Sequence, residues 1–184
     1  MNRSLSAVYS SSLAAESMGE FHYRYVLGLY DLLGELTRKY PNIMFEGCSG
    51  GGGRYDLGML YYHPQIWLSD DTDAIERLKI QYGSSFAYPI GSAGAHVSAS
   101  PNHQTTRKTP FETRATVAMG GTFGYELDLN KVSKKEQNMV KAQVKDYLKY
   151  DELIHEGDYY RLTSPYDKSR VTAWQLLSKD KSLG

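Results

Sequence analysis

The sequence predicts an α/β fold: a partial (β/α)8 TIM barrel of about four β/α units, followed by antiparallel strands. Three observations carry this prediction. Short apolar runs alternate with helix-patterned segments over residues 16–149, as expected when helical crossovers join parallel strands. The polar, acidic and glycine-rich stretches follow the apolar runs, and in β/α barrels the chemistry lies on loops at the C-terminal strand ends. After residue 150 the texture changes to two strand-like runs around a Ser164-Pro165-Tyr166-Asp167 turn. A boundary is expected near residue 151.

Each element has its own signal. From Glu16 to Tyr40, Phe21, Tyr25, Leu27, Leu32 and Leu36 recur near three-to-four spacing, which predicts a helix. Pro41-Asn42 breaks it, and Ile43-Met44-Phe45 reads as a strand buried on both faces. Ile66-Trp67-Leu68 is a second short strand, followed by a helix from Asp73 to Tyr82 with Ile75, Leu78 and Ile80 toward the core. Ala93 to Ser98 is a third strand, Phe111 to Met119 a helix closed by Gly120-Gly121, and Phe123 to Leu127 a fourth strand. Ser133-Lys134-Lys135-Glu136 has the capping-box pattern and opens a helix reaching Lys149. Tyr159 to Thr163 and Thr172 to Leu177 read as antiparallel strands.

Composition narrows the function classes. The 184 residues are 41% hydrophobic and 23% charged, ordinary globular values that allow a sizeable core. Twenty-one basic residues balance twenty-one acidic ones, so nothing points to nucleic acid or an anionic membrane surface. The single cysteine, Cys48, excludes an internal disulfide framework. No run approaches the roughly 20 apolar residues that span a bilayer, and the first residues lack a signal-peptide core. A soluble, cytoplasmic protein is the expectation.

Two segments are candidates for chemistry. In Glu46-Gly47-Cys48-Ser49-Gly50-Gly51-Gly52-Gly53-Arg54, consecutive glycines let the backbone approach a ligand closely. The run lacks the Lys-Ser/Thr ending of a phosphate loop, and the plain alternative is a flexible strand-to-helix turn. In Ser69-Asp70-Asp71-Thr72-Asp73, a carboxylate at a barrel mouth suits a general acid, with Trp67 as an apolar neighbour able to raise its pKa. The same residue types are helix N-caps, and one aspartate can cap while another faces the site. His96, with Asn102 and His103 nearby, matches no zinc spacing, so no metal is expected and the histidines are expected to make structural hydrogen bonds in a loop. Glu126 and Asp128 end the fourth strand as either site residues or caps.

The run Phe45 to Tyr62, containing Cys48-Ser49-Gly50-Gly51-Gly52-Gly53-Arg54, resembles the Cys-Ser-Gly-rich signature of glycoside hydrolase family 36 α-galactosidases. So do Pro64 to Leu78 around Trp67-Leu68-Ser69-Asp70-Asp71, Gly94-Ala95-His96-Val97-Ser98, Pro101-Asn102-His103-Gln104 and Gly121 to Asp128, in the family's order. The resemblance implies a retaining hydrolase of terminal α-linked galactose, as in melibiose and raffinose-type sugars, without a cofactor and commonly a cytoplasmic homotetramer. It also implies that residues 1–150 are the C-terminal part of the catalytic barrel, about its last four β/α units, and residues 151–184 the truncated start of a C-terminal β-domain. Asp70 matches the family's acid/base. Cys48 and Gly51 match positions that contact galactose, Trp67 lines the same pocket, and Asn2 matches the sugar-contacting asparagine of a Lys-Trp-Asp-Met-Asn-Arg motif.

That motif's aspartate is the family's nucleophile, and it would fall one position before Met1. Retention needs two carboxyl groups about 5–5.5 Å apart, one attacking and one donating a proton. A chain holding Asp70 without that partner is therefore expected to be an inactive fragment, and a non-catalytic sugar-binding or assembly module is the alternative. A partial barrel is also expected to leave strand edges and apolar faces uncovered.

Overall fold

A computed structural model describes residues 10–184; Asn2 lies outside them. A 3-10 turn, Ala15–Glu20, leads into α1 (Phe21–Lys39). Then follow β1 (Glu46–Gly47), α2 (Leu57–Tyr62), β2 (Gln65–Trp67), α3 (Ala74–Ser84), β3 (Ala93–Ser98), α4 (Phe111–Ala118), β4 (Thr122–Glu126) and α5 (Lys134–Glu156). The hairpin β5 (Asp158–Thr163) and β6 (Ala173–Leu177) completes the described chain.

Strands β1 to β4 form one parallel sheet in sequential order. Crossovers between parallel strands are right-handed almost without exception, so a strictly sequential order puts every helix on one face. That is the curvature of a β/α barrel. The separate pair β5–β6 is antiparallel, with Asp158 opposite Leu177. The fold class expected from the sequence is therefore present in both its parts.

Strand alternation separates two faces. Toward the helices, Ala95 and Val97 are fully buried against Phe111, Ala115 and Ala118 of α4, and Ile66 packs with Leu33 and Met59. The opposite face carries Glu46 and Gln65, which are register partners, then Trp67 beside Gly94, and His96 beside Gly124. One side of the sheet is an apolar core, and the other is lined by polar and aromatic groups.

Two element bounds are corrected. Ile43 and Met44 are 56% and 65% exposed, and the strand starts only at Glu46. Strand β1 is the sheet's edge among the described residues, so no described strand pairs with the run before it, of which only Phe45, beside His63, is half-buried. Helix α5 passes Lys149 and ends at Glu156, because buried Tyr147, Leu153 and Ile154 extend its apolar stripe and the first breaker is Gly157. The position near residue 151 where the texture changes thus lies inside this helix.

Helix α3 differs in its buried face. Ile80 packs against the core cluster of Leu68, Ile90 and Ala93 as expected, but Ile75, Leu78 and Ile80 are all half-buried and the fully buried residues are Ala74, Arg77 and Gln81. The polar pair is there because the face meets main-chain carbonyls: Gln81 Nε2 donates to Val117 O at 3.0 Å, and Arg77 reaches the strand ends. Large apolar side chains remain exposed elsewhere, among them Tyr23, Leu27 and Leu32 on α1. No described helix is long and apolar enough to cross a membrane.

Candidate functional site

The glycine run after β1 folds as a left-handed turn. Ser49, Gly50, Gly51 and Gly52 have φ of 61, 71, 74 and 83°, and Gly52 N donates to Cys48 O at 2.9 Å. A side chain at Gly51 would put its Cβ 2.5 Å from the Asp70 amide nitrogen and 2.8 Å from Ser69 Cα. At Gly52 it would lie 2.8 Å from Leu68 O. Glycine is required here twice over, by backbone conformation and by the approach of the β2 exit. Cys48 is half-buried at the start of this turn, so Cys48, Gly51 and Asp70 are brought together by backbone packing.

The three carboxylates beyond β2 have distinct fates. Asp73 is 1% exposed and caps α3, accepting from Ile75 N at 2.8 Å and Glu76 N at 3.2 Å. Its other oxygen, Oδ2, accepts from Thr105 Oγ1 at 2.5 Å, and Arg107 forms an ion pair with the capping oxygen, Oδ1. Burial pushes this carboxyl up, but the Thr105, Glu76, Ile75 and Arg107 bonds outweigh that and hold it below the usual carboxylate range. Asp71 accepts from Asp73 N at 3.0 Å, closing a local turn. Asp70 is exposed, and its carboxylate has no hydrogen bond or ion pair with a described residue.

A second loop, between β3 and α4, latches this exit. Gln104 Oε1 accepts from Thr72 N at 3.1 Å, and buried Asn102 donates to Thr72 Oγ1 at 3.0 Å. Arg107 bridges Asp73 and Glu76. The structural hydrogen bonds expected of the histidines are made instead by Asn102, while neither the His96 ring nor the His103 ring has a hydrogen bond with a described residue; the wider latch is a feature the sequence reading missed. Its only advance signal was the density of Asn, Gln, Thr and Arg over residues 102–107.

Trp67 is 7% exposed. Its ring stacks on His96 with centroids 4.4 Å apart, and the Arg77 guanidinium lies 4.4 Å from its centroid. Burial, then the Arg77 charge, lowers the His96 pKa. Further along the same face, Glu46 accepts from Gln65 Nε2. Burial raises the Glu46 pKa against that bond, with the Glu126 charge adding to the rise. Neither Arg77 nor the Glu46–Gln65 pair was singled out in sequence, where both look like ordinary surface residues. Among the described residues, no group of three or more His, Cys, Asp or Glu is placed to hold a metal ion.

The profile of the Melibiase family matches residues 1–157, and the chain belongs to that family; the solved structures it matches include members of glycoside hydrolase family 36. It is 55% identical over 182 residues to α-galactosidase Mel36A of Lactobacillus acidophilus, covering 99% of this chain and 25% of that protein. It is 56% identical over 178 residues to α-galactosidase 1 of Pediococcus pentosaceus, covering 97% and 24%. The crystal structure of α-galactosidase AgaB from Geobacillus stearothermophilus superposes with a TM-score of 0.93 at 51% identity, covering 98% of this chain and 25% of that one. A variant of AgaA from the same organism, in complex with raffinose, gives 0.89 at 52% identity over 93% and 24%. The chain spans about a quarter of the length of these relatives.

Proposed function

We propose that this chain forms the C-terminal part of the catalytic barrel of an α-galactosidase and supplies its acid/base, Asp70. The substrate class is oligosaccharides with terminal α-linked galactose, of the melibiose and raffinose type. Support comes from relatives named α-galactosidases and from AgaA variants in complex with raffinose and with stachyose.

The observation that carries the assignment is the division of labour beyond β2. Asp73 is committed to the cap and to Arg107, and Asp71 to a turn, whereas Asp70 is presented to solvent beside the Gly51 wall. In a double displacement, Asp70 first donates a proton to the leaving oxygen while a second carboxylate attacks the anomeric carbon. Asp70, now ionised, then takes a proton from the water that releases galactose. Trp67, Cys48 and Gly51 form the adjoining sugar wall, with Asn2 as a further contact. No cofactor enters this scheme, and a cytoplasmic homotetramer is the assembly proposed for the whole enzyme.

No described residue is assigned the role of attacking carboxylate, and the 184 residues by themselves are proposed to be inactive. The test is paired. The 184-residue chain should not turn over p-nitrophenyl α-galactoside, and the chain preceded by the matching upstream region of the Lactobacillus acidophilus relative should. Turnover by the bare chain would overturn the missing-nucleophile reading. Galactose binding by the bare chain, with the joined protein folded yet inactive, would favour a sugar-binding module.

A further inference from the structure

We propose that Arg77 is a positioning residue for Asp70: its guanidinium ties the main chain directly before the acid to the neighbouring strand, and so fixes the point at which the acid leaves the sheet. The inference rests on the reading of Asp70 as proton donor given above.

The β2–β3 ladder is short, with Trp67 opposite Gly94 as its last pair. Beyond it the two strands separate, and Leu68 and Ser69 have no ladder partner on β3. Arg77, in the first turns of α3, spans this gap. Its Nη1 donates to Ser69 O at 3.3 Å and its Nη2 donates to Gly94 O at 2.5 Å. The guanidinium thus extends the ladder by one rung made from a side chain. The peptide it grips, Ser69–Asp70, is the one against which Gly51 packs. The residue carrying the acid is therefore held by two backbone contacts while its carboxylate stays unbonded.

The burial of Arg77 argues against a merely space-filling role. The residue is 2% exposed and makes no ion pair with a described carboxylate. Burial lowers its pKa to about 10, and the charges of Glu126 and Asp71 only partly oppose this. An unpaired buried cation is expensive, and an apolar side chain of similar volume is the cheaper way to fill a helix face. What an apolar residue lacks is a planar fork that satisfies two carbonyls on different strands at once. Lysine, a point charge on a flexible stem, satisfies them less well.

The test uses the complete enzyme, with Arg77→Met and Arg77→Lys compared with Asp70→Asn. Two substrates separate positioning from stability. Melibiose has a poor leaving group and needs the proton, whereas p-nitrophenyl α-galactoside leaves with little protonation. Arg77→Met should lower kcat on melibiose about 100-fold, the usual scale for a misplaced catalytic group, with a much smaller loss on the nitrophenyl substrate and little change in KM. Arg77→Lys should show the same pattern at smaller amplitude. Equal losses on both substrates, tracking the folded fraction, would mean that Arg77 is structural only and would overturn the proposal.

If Arg77→Met does not fold, Arg77→Lys decides on the same criterion, together with amide hydrogen exchange. The Asp70 and Asp71 amides should exchange about tenfold faster while β3 and α4 are unchanged; unchanged exchange with unchanged kcat overturns the proposal. Asp70→Asn distinguishes the two readings. If it cleaves melibiose at full speed, the acid assignment itself is wrong. If it shows the leaving-group pattern and the Arg77 variants do not, only the positioning role falls.

Discussion

At the exit of β2, Ser69-Asp70-Asp71-Thr72-Asp73 is held by a loop about thirty residues away in sequence, through Asn102, Gln104, Thr105 and Arg107. At the exit of β4, beyond the last ladder pair Ser98–Glu126, the side chains of Asp128 and Asn130 bond only locally among the described residues. Asp128 accepts from Asn130 N at 3.0 Å and lies 3.6 Å from Lys131. Both exits are acidic and both follow a short strand of one parallel sheet. A run of carboxylates at a strand end therefore does not define a site. The difference lies in whether a second loop consumes the surplus acids and leaves one presented. At β2 this sorting is complete, and at β4 the acids remain solvated turn residues.

The largest effect expected from breaking this contrast is that of Asp73→Ala. The substitution removes the α3 cap and the bonds from Thr105 and Arg107 together. It should destabilise the chain by about 3 kcal/mol, roughly 1 from the cap and the rest from the charge-assisted bonds. Urea unfolding of wild type and variant measures it. The pH dependence supplies a second handle. The folded Asp73 pKa lies below its ordinary 3.8, so the unfolded chain binds the proton first as pH falls. The stabilisation is present above pH 3.8 and is lost as pH drops through the lower, folded value. The gap between wild type and Asp73→Ala should accordingly shrink in that acid window; a gap independent of pH would show that the cap geometry alone, not the charge, holds the exit.

How much of this was legible in sequence follows from the range of each interaction. Local signals read well: β3 spans Ala93–Ser98 as expected, the Ser133–Glu136 capping box is present, and Asp73 caps α3. The glycine run was legible as a close-approach segment, but its partner, the Ser69–Asp70 backbone, was not. The start of β1 was misplaced because an apolar run at an exposed edge looks the same in sequence as one in a sheet centre. Arg77 was invisible because polarity predicts solvent exposure, whereas here the carbonyls of Ser69 and Gly94 outbid water. The latch was unreadable for a related reason. Its donors and acceptors lie about thirty positions apart, and only the sheet brings them together.

Asn102→Ala sharpens the contrast at intermediate size. Asn102 is 5% exposed; it donates to Thr72 Oγ1 and accepts from Gln104 N and Thr105 N, each at 2.9–3.0 Å. Its loss should destabilise the chain by about 1–2 kcal/mol. Exchange protection should fall at Thr72 and Thr105 while the hairpin β5–β6 is unaffected.

Asp128→Ala should give the smallest effect. Hydrogen bonds from the Asn130 amide, and then from its side chain, hold the Asp128 carboxyl below its ordinary pKa. By that measure alone the group resembles Asp73. Its surroundings argue the opposite, because the carboxylate is hydrated in both the folded and the unfolded chain and salt screens its Lys131 partner. The two aspartates have pKa values moved in the same direction, yet burial decides that only one contributes appreciably to stability. The urea midpoint of Asp128→Ala should coincide with wild type within error, at low and at high salt. A midpoint drop as large as that of Asn102→Ala would mean that the β4 exit is also held, and the distinction between a sorted and an unsorted strand end would fail.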